Sequence, residues 1–266
     1  MNPVTTRSAK RLILILTTIA VSTTACGAVP GALTPPEPNP TSSPMPNPEP
    51  TPNGGIPVSL LGAQWFRLPT SEKVVALTFD AGANADAIPS ILKTLEEYGI
   101  PGTFFLTGKW VEAYPQYAAR IGARYPVANH SHSHPDLTEL SAPRVRTEIT
   151  EAEAAIRAAA GKGTRRMFRF PFGASDQNTI DLVNSLGYGA INWTVDTRGW
   201  QGTSGGQDVD QIVRRVLEAL EPGEIVIMHV GSHPTDGSTL DADALPRVIE
   251  ELQARGYRFV TIDQFL

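Results

Sequence analysis

The sequence of residues 59–266 predicts an α/β fold built on a parallel sheet, and three observations support this interpretation. Apolar runs of strand length alternate about seven times with segments of helical periodicity, as in parallel sheets that are either open or closed into a barrel. The segment is long enough for one domain with a single core. Polar residues follow five of the predicted strands, at the edge where α/β folds place their active sites.

The predicted strands are short apolar runs. They cover residues 74–79, 102–106, 125–128, 167–170, 188–193, 224–228 and 258–262. The predicted helices carry apolar residues three and four positions apart. They cover residues 88–98, 111–124, 142–160, 177–186, 209–220 and 244–255. Gly99 and Gly161 follow two of these helices, as is typical of helix C-termini.

Residues 1–26 are predicted to be an export signal. Three basic residues precede an apolar run at 12–21, which is too short to span a bilayer comfortably. Cys26 follows the run as in a bacterial lipobox, so we expect its acylation after cleavage. Thr23 stands where Leu is usual, and the alternative is an ordinary secretory signal cut nearby. The expected location is the extracellular face of the bacterial membrane, as a lipoprotein, or the medium.

Residues 27–58 are predicted to be a disordered, proline-rich linker. Positions 28–57 hold eleven of the 23 prolines and few large apolar residues, so the segment cannot offset its ordering entropy by burial. Repeated X-Pro steps favour an extended, semi-rigid spacer.

The net charge of residues 26–266 argues against polyanionic partners. Because residues 1–25 carry three positive charges and no acidic side chain, the formal net charge of −5 becomes −8 for the rest. This balance argues against nucleic acid and anionic membrane surfaces as partners. Cys26 is the only cysteine, so an internal disulfide is impossible. We expect a monomer.

Five polar residues stand at the ends of predicted strands. They are Asp80, His130, Arg169, Asp196 and His229. Because the carboxyl ends of parallel strands meet on one face, we expect these side chains to converge. Each has a structural alternative, such as a turn residue, a surface ion pair or a buried histidine. Five such residues on one face favour a catalytic site.

Three of the five histidines stand at alternating positions 130, 132 and 134. His130 and His134 are candidates to bind one metal ion, because neutral imidazoles are common metal ligands. Pro135 disfavours a helical conformation at His134, which predicts a turn or a short helical piece here. The alternative is a polar turn whose imidazoles only form hydrogen bonds.

Five short segments are similar to the motifs of one enzyme family and stand in that family's order. They are Thr78-Phe79-Asp80-Ala81-Gly82 (Thr-Phe-Asp-Asp-Gly in the family), His130-Ser131-His132-Ser133-His134 (His-Ser/Thr-x-x-His), Arg169-Phe170-Pro171-Phe172-Gly173 (Arg-x-Pro-Tyr-Gly), Asp196-Thr197-Arg198-Gly199-Trp200 (Asp-x-x-Asp-Trp) and Ile227-Met228-His229 (Leu-x-His). Over about residues 73–266 the chain therefore resembles the NodB-like polysaccharide deacetylases, carbohydrate esterase family 4. The resemblance implies a distorted (β/α) barrel of about seven parallel strands in a single catalytic domain.

The chain departs from these motifs at three positions. Ala81 replaces the aspartate that completes the family's Asp-His-His metal triad, Phe172 replaces Tyr, and Gly199 replaces the second Asp of the fourth motif. Only two of the three usual ligands of a catalytic zinc are therefore inherited. The candidates for the third position are His132, Asn84, Asp86 and water.

The resemblance implies an acid and a base. Asp80 would be the general base that takes a proton from water, and Arg169 would hold Asp80 ionised and oriented. His229 would be the general acid that protonates the leaving amine. Asp196 would orient His229 and raise its pKa.

The resemblance also implies a metal ion and a substrate pocket. His130 and His134 would hold a divalent ion, zinc first, with cobalt or another transition metal as alternatives. The backbone N–H of Phe172 would help to stabilise the oxyanion. Trp200 would line the sugar or acetyl pocket.

The resulting hypothesis is a polysaccharide N-deacetylase of the cell envelope. Export and a membrane tether at Cys26 favour peptidoglycan as its substrate over free chitin or xylan. One alternative is an inactive carbohydrate-binding lectin that kept the fold but lost the ion with Ala81. Retention of an acid and a base argues against it. Another alternative is an esterase acting on O-acetyl sugars.

Overall fold

The computed structural model describes residues 56–266 and shows one curled, parallel sheet with helices packed against it. The export signal at 1–26, with Cys26, and the linker as far as residue 55 lie outside the described residues. Ile56 and Leu60 are buried in the core. No helix in the described part of the chain is long and apolar enough to cross a membrane.

In the described part of the chain the sheet has nine strands, and every pair of neighbouring strands is parallel. The strands are β1 (Gln64–Trp65), β2 (Val74–Ala81), β3 (Thr103–Leu106), β4 (Val127–Asn129), β5 (Met167–Phe168), β6 (Gly189–Ile191), β7 (Val195–Asp196), β8 (Glu224–His229) and β9 (Arg258–Phe259). They lie in the order β1-β6-β5-β4-β3-β2-β8-β7, and β9 also pairs with β2. An isolated antiparallel bridge from Arg67, after β1, to Glu224 connects the two sides of the sheet. The predicted fold, a distorted (β/α) barrel in one α/β domain, is confirmed.

Seven α-helices connect the strands within residues 56–266. They are α1 (Ile88–Tyr98), α2 (Gly108–Ala113), α3 (Pro115–Arg124), α4 (Ala142–Ala160), α5 (Gln177–Ser185), α6 (Val209–Glu218) and α7 (Leu240–Ala254). Residues 111–124, predicted as one helix, belong to two, because Tyr114 leaves the helical region at φ −129° and Pro115 begins the next helix. Strands β1 and β7 were not predicted because, unlike the equally short β5 and β9, they do not lie in a longer apolar run of the sequence.

Strand β2 is buried along its whole length. Its side chains alternate between the two faces of the sheet and so belong to two separate parts of the core. Val75, Leu77 and Phe79 pack against the surrounding helices. Val74 and Ala76 face the interior of the curled sheet. Because side chains alternate along a strand, Asp80 continues the inward-facing set and is carried to the carboxyl edge of the sheet.

At the opposite edge, Glu224 begins β8 as a carboxyl without a polar partner. Its side chain is fully buried, and neither oxygen has a hydrogen-bond partner among the described residues. Burial, with the charge of Glu221, raises the pKa of Glu224 from 4.5 to about 8. At neutral pH this carboxyl is therefore protonated in the folded protein, although it is ionised in the unfolded chain.

Glu224→Gln is expected to stabilise the domain increasingly as the pH rises from 4.5 to 8. The folded wild type holds a proton that the unfolded chain releases in this range, so its free energy of unfolding falls by up to about 1.4 kcal/mol per pH unit. Gln has the shape of the neutral carboxyl and removes this slope. Urea unfolding across the range measures the effect, with Glu218→Gln as an exposed control. The same change in stability at every pH would contradict a neutral Glu224.

Candidate active site

The carboxyl ends of the strands surround one cavity of about 590 Å³. Asp80 and His229 are register partners on the neighbouring strands β2 and β8, so their side chains stand side by side. His130 follows β4 and Asp196 ends β7, and both also line the cavity. Arg169 follows β5 and lies fully buried beneath its floor. The structure thus brings together the five strand-end residues that the sequence predicted.

Arg169 fixes the Asp80 carboxylate. One guanidinium nitrogen of Arg169, Nη1, donates to Asp80 Oδ1 at 2.7 Å and to Thr78 Oγ1 at 2.9 Å. The other two nitrogens donate to the carbonyl oxygens of Ile191 and Asn192. Burial opposes ionisation of Asp80, but Arg169, His130 and His229 together hold the pKa of Asp80 below its ordinary value. Asp80 is therefore an oriented carboxylate at neutral pH.

His130 and His134 present the same ring atom to each other. The Nδ1–H of His130 donates to the carbonyl oxygen of Arg169 at 2.9 Å, which leaves the lone pair of Nε2 directed at the cavity. That Nε2 lies 3.2 Å from Nε2 of His134 and 3.3 Å from Oδ2 of Asp80. Burial lowers the pKa of His130, and burial together with His130 lowers the pKa of His134 to about 4. Both imidazoles are neutral at pH 7, as metal ligands must be.

The two imidazoles fit a zinc ion. Two tetrahedral ligands at 2.0–2.1 Å from zinc stand about 3.3 Å apart, close to the 3.2 Å between the two Nε2 atoms. Among residues 56–266, however, no three His, Cys, Asp or Glu side chains form a group that could hold an ion. Ala81 is fully buried in the apolar layer under the helices and does not line the cavity.

The three side chains predicted as candidates for a third metal ligand, those of His132, Asn84 and Asp86, make other contacts in the structure. The ring of His132 packs against Gly108. Asn84 accepts from the backbone N–H of Ser232, and Asp86 accepts from the Ser232 hydroxyl. Asn84 and Asp86 thus fasten the loop after β2 to the loop after β8. Within the described chain, the anionic group nearest to the two imidazole nitrogens is Asp80.

Two buried polar residues, whose role was not predicted from the sequence, hold the loop of residues 130–134. Glu148, on α4, accepts from the backbone N–H groups of His132 at 3.0 Å and Ser133 at 2.7 Å. Asn129 accepts from the N–H of Ser131 at 3.0 Å. Ser131 and His134 have left-handed backbone conformations, with φ of 65° and 61°. These bonds keep the loop in a conformation that non-glycine residues disfavour.

Asp196 was predicted to orient His229 and to raise its pKa, and the structure contradicts only the orienting role. Asp196 does not hold the His229 ring, because its carboxylate accepts from the N–H of Arg198 at 2.8 Å and from Nε1 of Trp200 at 3.3 Å. The carboxylate against His229 is that of Asp241, on α7, whose Oδ2 lies 3.4 Å from His229 Nδ1. Burial alone would lower the pKa of His229, but Asp241, Asp80 and Asp196 raise it above its ordinary value.

Aromatic side chains form the walls of the cavity. Phe172 is 70% exposed and has φ of 58°, and its ring packs edge-on against His134 with centroids 4.6 Å apart. Trp200 is half-exposed, with its ring centroid 6.4 Å from that of His229. Trp193 also lines the cavity. Exposed aromatic rings with a few convergent polar groups are typical of a pocket that binds a small organic ligand.

Comparison with known proteins agrees with this geometry. The sequence profile of the family described as polysaccharide deacetylase matches residues 67–191. A chitooligosaccharide deacetylase of Bradyrhizobium sp. (strain ANU 289) is 36% identical over 199 residues, which are 71% of this chain and 89% of the relative. A peptidoglycan-N-acetylglucosamine deacetylase of Bacillus cereus is 32% identical over 198 residues, covering 74% of this chain and 70% of the relative.

Among solved structures, a carbohydrate esterase family 4 pseudoenzyme from Bacillus anthracis superimposes with a TM-score of 0.69 at 29% identity. The match covers 77% of this chain and 69% of that one. A mutant of the same pseudoenzyme, described as having restored enzymatic activity, matches with the same TM-score. The motifs, the fold and the relatives agree, and the chain belongs to the polysaccharide deacetylase family of hydrolases, carbohydrate esterase family 4.

Proposed function

We propose that this protein removes N-acetyl groups from a polysaccharide of the cell envelope, with peptidoglycan as the first candidate substrate. The observation that carries the proposal is the pairing of Asp80 with His229 on neighbouring strands, one held as a carboxylate and the other favoured as an imidazolium. Relatives named for peptidoglycan and for chitooligosaccharides both point to N-acetylated sugars. Of these two substrates, the predicted export signal and membrane tether favour peptidoglycan.

Asp80 is the proposed general base. Its Oδ1 is engaged by Arg169, and its Oδ2 faces the two imidazole nitrogens across the cavity floor. A water molecule beside Oδ2 would give its proton to this carboxylate while it attacks the acetyl carbonyl. Arg169 keeps the carboxylate in one orientation throughout, because its own guanidinium is fully buried and bonded on every nitrogen.

His130 and His134 are the proposed ligands of a divalent metal ion, with zinc first and cobalt or another transition metal as alternatives. Such an ion, when bound, supplies Lewis-acid polarisation of the acetyl carbonyl and lowers the pKa of water. Asp80 and the Arg169 carbonyl, which orients the His130 ring, act as outer partners of this pair.

His229 is the proposed general acid. Its raised pKa favours the imidazolium, which can donate a proton to the amine as the carbon–nitrogen bond breaks. Phe172, whose ring packs against His134, and Trp200, whose ring lies beside His229, are the proposed contacts for the sugar ring. The backbone N–H of Phe172 remains the proposed oxyanion donor.

The test is acetate release by the purified protein from peptidoglycan and from N-acetylchitooligosaccharides, measured together with metal content. We expect release from at least one N-acetylated polymer and its loss after chelation. A protein that binds these sugars but releases no acetate with metal supplied would be a lectin. Release only from O-acetylated sugars would make it an esterase.

The proposed location is the outer face of the membrane, through a lipid on Cys26. Cys26→Ala is expected to release the domain into the medium or to leave the precursor uncut, because acylation requires the thiol. Membrane fractionation and the mass of the mature N-terminus measure this. Cys26→Ser, which keeps a small polar side chain, should behave like Cys26→Ala. Unchanged membrane association and mass in both variants would refute lipidation.

A further inference from the structure

The Asp241 carboxylate lies next to His229 and accepts a hydrogen bond on each of its two oxygens. The backbone N–H of His229 donates to Asp241 Oδ2 at 2.8 Å, and the Nδ1 atom of the same residue lies 3.4 Å from that oxygen. The hydroxyl of Thr197 donates to Oδ1 at 2.6 Å. Asp241 is 3% exposed and stands in the first turn of α7. Its carboxylate therefore has one fixed position, between the end of β8 and the turn that follows β7.

Gly199 leaves the space that this carboxylate occupies. A Cβ atom on Gly199 would lie 2.3 Å from Asp241 Oδ1 and 2.5 Å from its Cγ. The φ of Gly199 is outside the left-handed range, so the backbone alone does not require glycine here. Asp241 is thus the reason why no side chain fits at this position. In the fourth motif of the family, position 199 carries an aspartate.

We infer that Asp241 is the positioning carboxylate of His229, supplied from α7 through the gap that Gly199 leaves in the motif. Asp241 then compensates for the aspartate that the fourth motif lacks at position 199. One carboxylate is lost from the turn after β7, and another reaches the same place from a helix more than forty residues later in the sequence. The inference rests on the proposed function, because it assigns Asp241 to the proposed acid of that reaction.

Other charged groups also lie near His229, and their effect on its pKa must be distinguished from that of Asp241. Asp80 on β2 and Asp196 at the end of β7 are the other acidic groups, and His130 and His134 lie across the cavity. Among the acidic side chains of residues 56–266, that of Asp241 is the one whose carboxylate lies within 4 Å of the nitrogens of His229. Removing its charge while keeping its shape should therefore act on His229 more than on Asp80.

The first experiment compares Asp241→Asn with Asp243→Asn. Asp243 lies on the same helix turn but is exposed, so the control removes the same charge from the same element. Two quantities are measured: the NMR titration of the His229 ring, and the pH profile of kcat for acetate release from N-acetylchitooligosaccharides. Asp241→Asn is expected to lower the pKa of His229, to move the alkaline limb of the profile to lower pH, and to reduce kcat at least tenfold. Asp243→Asn is expected to change neither quantity.

The second experiment exchanges the two positions. Gly199→Asp alone is expected to lose activity and stability, because it places a side chain against the Asp241 carboxylate. Adding Asp241→Ala opens that space, so the double variant should regain stability and a raised His229 pKa relative to Asp241→Ala. Strong non-additivity between the two changes is the expected signature of sites in contact.

Two results would overturn the inference. One is an unchanged His229 titration in Asp241→Asn, and the other is a Gly199→Asp variant that is fully stable while Asp241 is present. The titration and the stability measurements need no turnover. If the unmutated protein releases no acetate, the proposed function fails, yet these two measurements still decide whether Asp241 positions His229.

Discussion

Asp80→Asn is expected to lower kcat for acetate release by about 10²- to 10⁴-fold, the usual contribution of one positioned acid or base. Asn keeps the shape of the side chain and can still accept from Arg169, but it cannot take a proton. The effect should therefore fall on kcat rather than on KM. Acetate release from N-acetylchitooligosaccharides measures it, with circular dichroism to confirm that the variant is folded. The exposed Asp243→Asn is again the matched control.

His229→Ala is expected to lose a similar factor, and the double variant should be little worse than either single one. If a base and an acid serve the same reaction, the loss of the first leaves the second little to contribute. Fully additive losses would show that Asp80 and His229 act independently. Unchanged rates in both single variants would remove the acid–base pair from the mechanism.

His130→Ala and His134→Ala are each expected to abolish zinc binding. Each removes one of two facing Nε2 donors, and the loss should exceed the 10- to 100-fold that follows removal of an outer-shell partner. Titration of the apo-protein with zinc, and then cobalt, measures the affinity. His132→Ala is the matched control, because His132 belongs to the same loop but packs against Gly108.

Each outcome of the titration has a clear meaning. If His130→Ala binds zinc as tightly as wild type, the ion is held elsewhere and the proposed site is wrong. If His132→Ala weakens binding to the same extent as His134→Ala, the loop rearranges around the ion and His132 supplies the position that Ala81 leaves open. Retained zinc affinity in His132→Ala alone agrees with the two-histidine site.

The fold was predictable because its signals are local or periodic. The strand that carries Asp80 is a continuous apolar run, and Gly99 marks the end of the following helix with φ of 64°. The convergence of the five strand-end residues followed from one topological rule about parallel sheets. Strands β1 and β7 were missed because they lie outside any apolar run, and the break at Pro115 affects too few positions for periodicity to reveal it.

The partners of the site residues were not predictable in the same way. Asp241 and Glu148 lie on the helices that follow the segments they hold, 12 to 16 residues after the N–H groups that donate to them, and acidic residues on helices are ordinarily solvent-exposed. Nothing in the local pattern distinguishes Asp241 from Asp243 two positions later. The assignment of Asp196 as the group that orients His229 failed for this reason: the sequence showed a carboxylate in a motif, whereas the carboxylate that contacts His229 comes from α7. Asp196 does help to raise the pKa of His229, as predicted.

The left-handed residues around the cavity bear on how much heat this protein can tolerate. Ser131, His134, Phe172 and Arg198 all have φ near 60°, a region that costs a non-glycine residue about 1 kcal/mol or more. A search for thermostable variants would therefore favour glycine at these positions. Glycine at Phe172 or His134 would also remove a wall of the cavity or a proposed ligand. Selection for heat resistance is thus expected to favour glycine at these positions, whereas selection for turnover is expected to keep the present side chains.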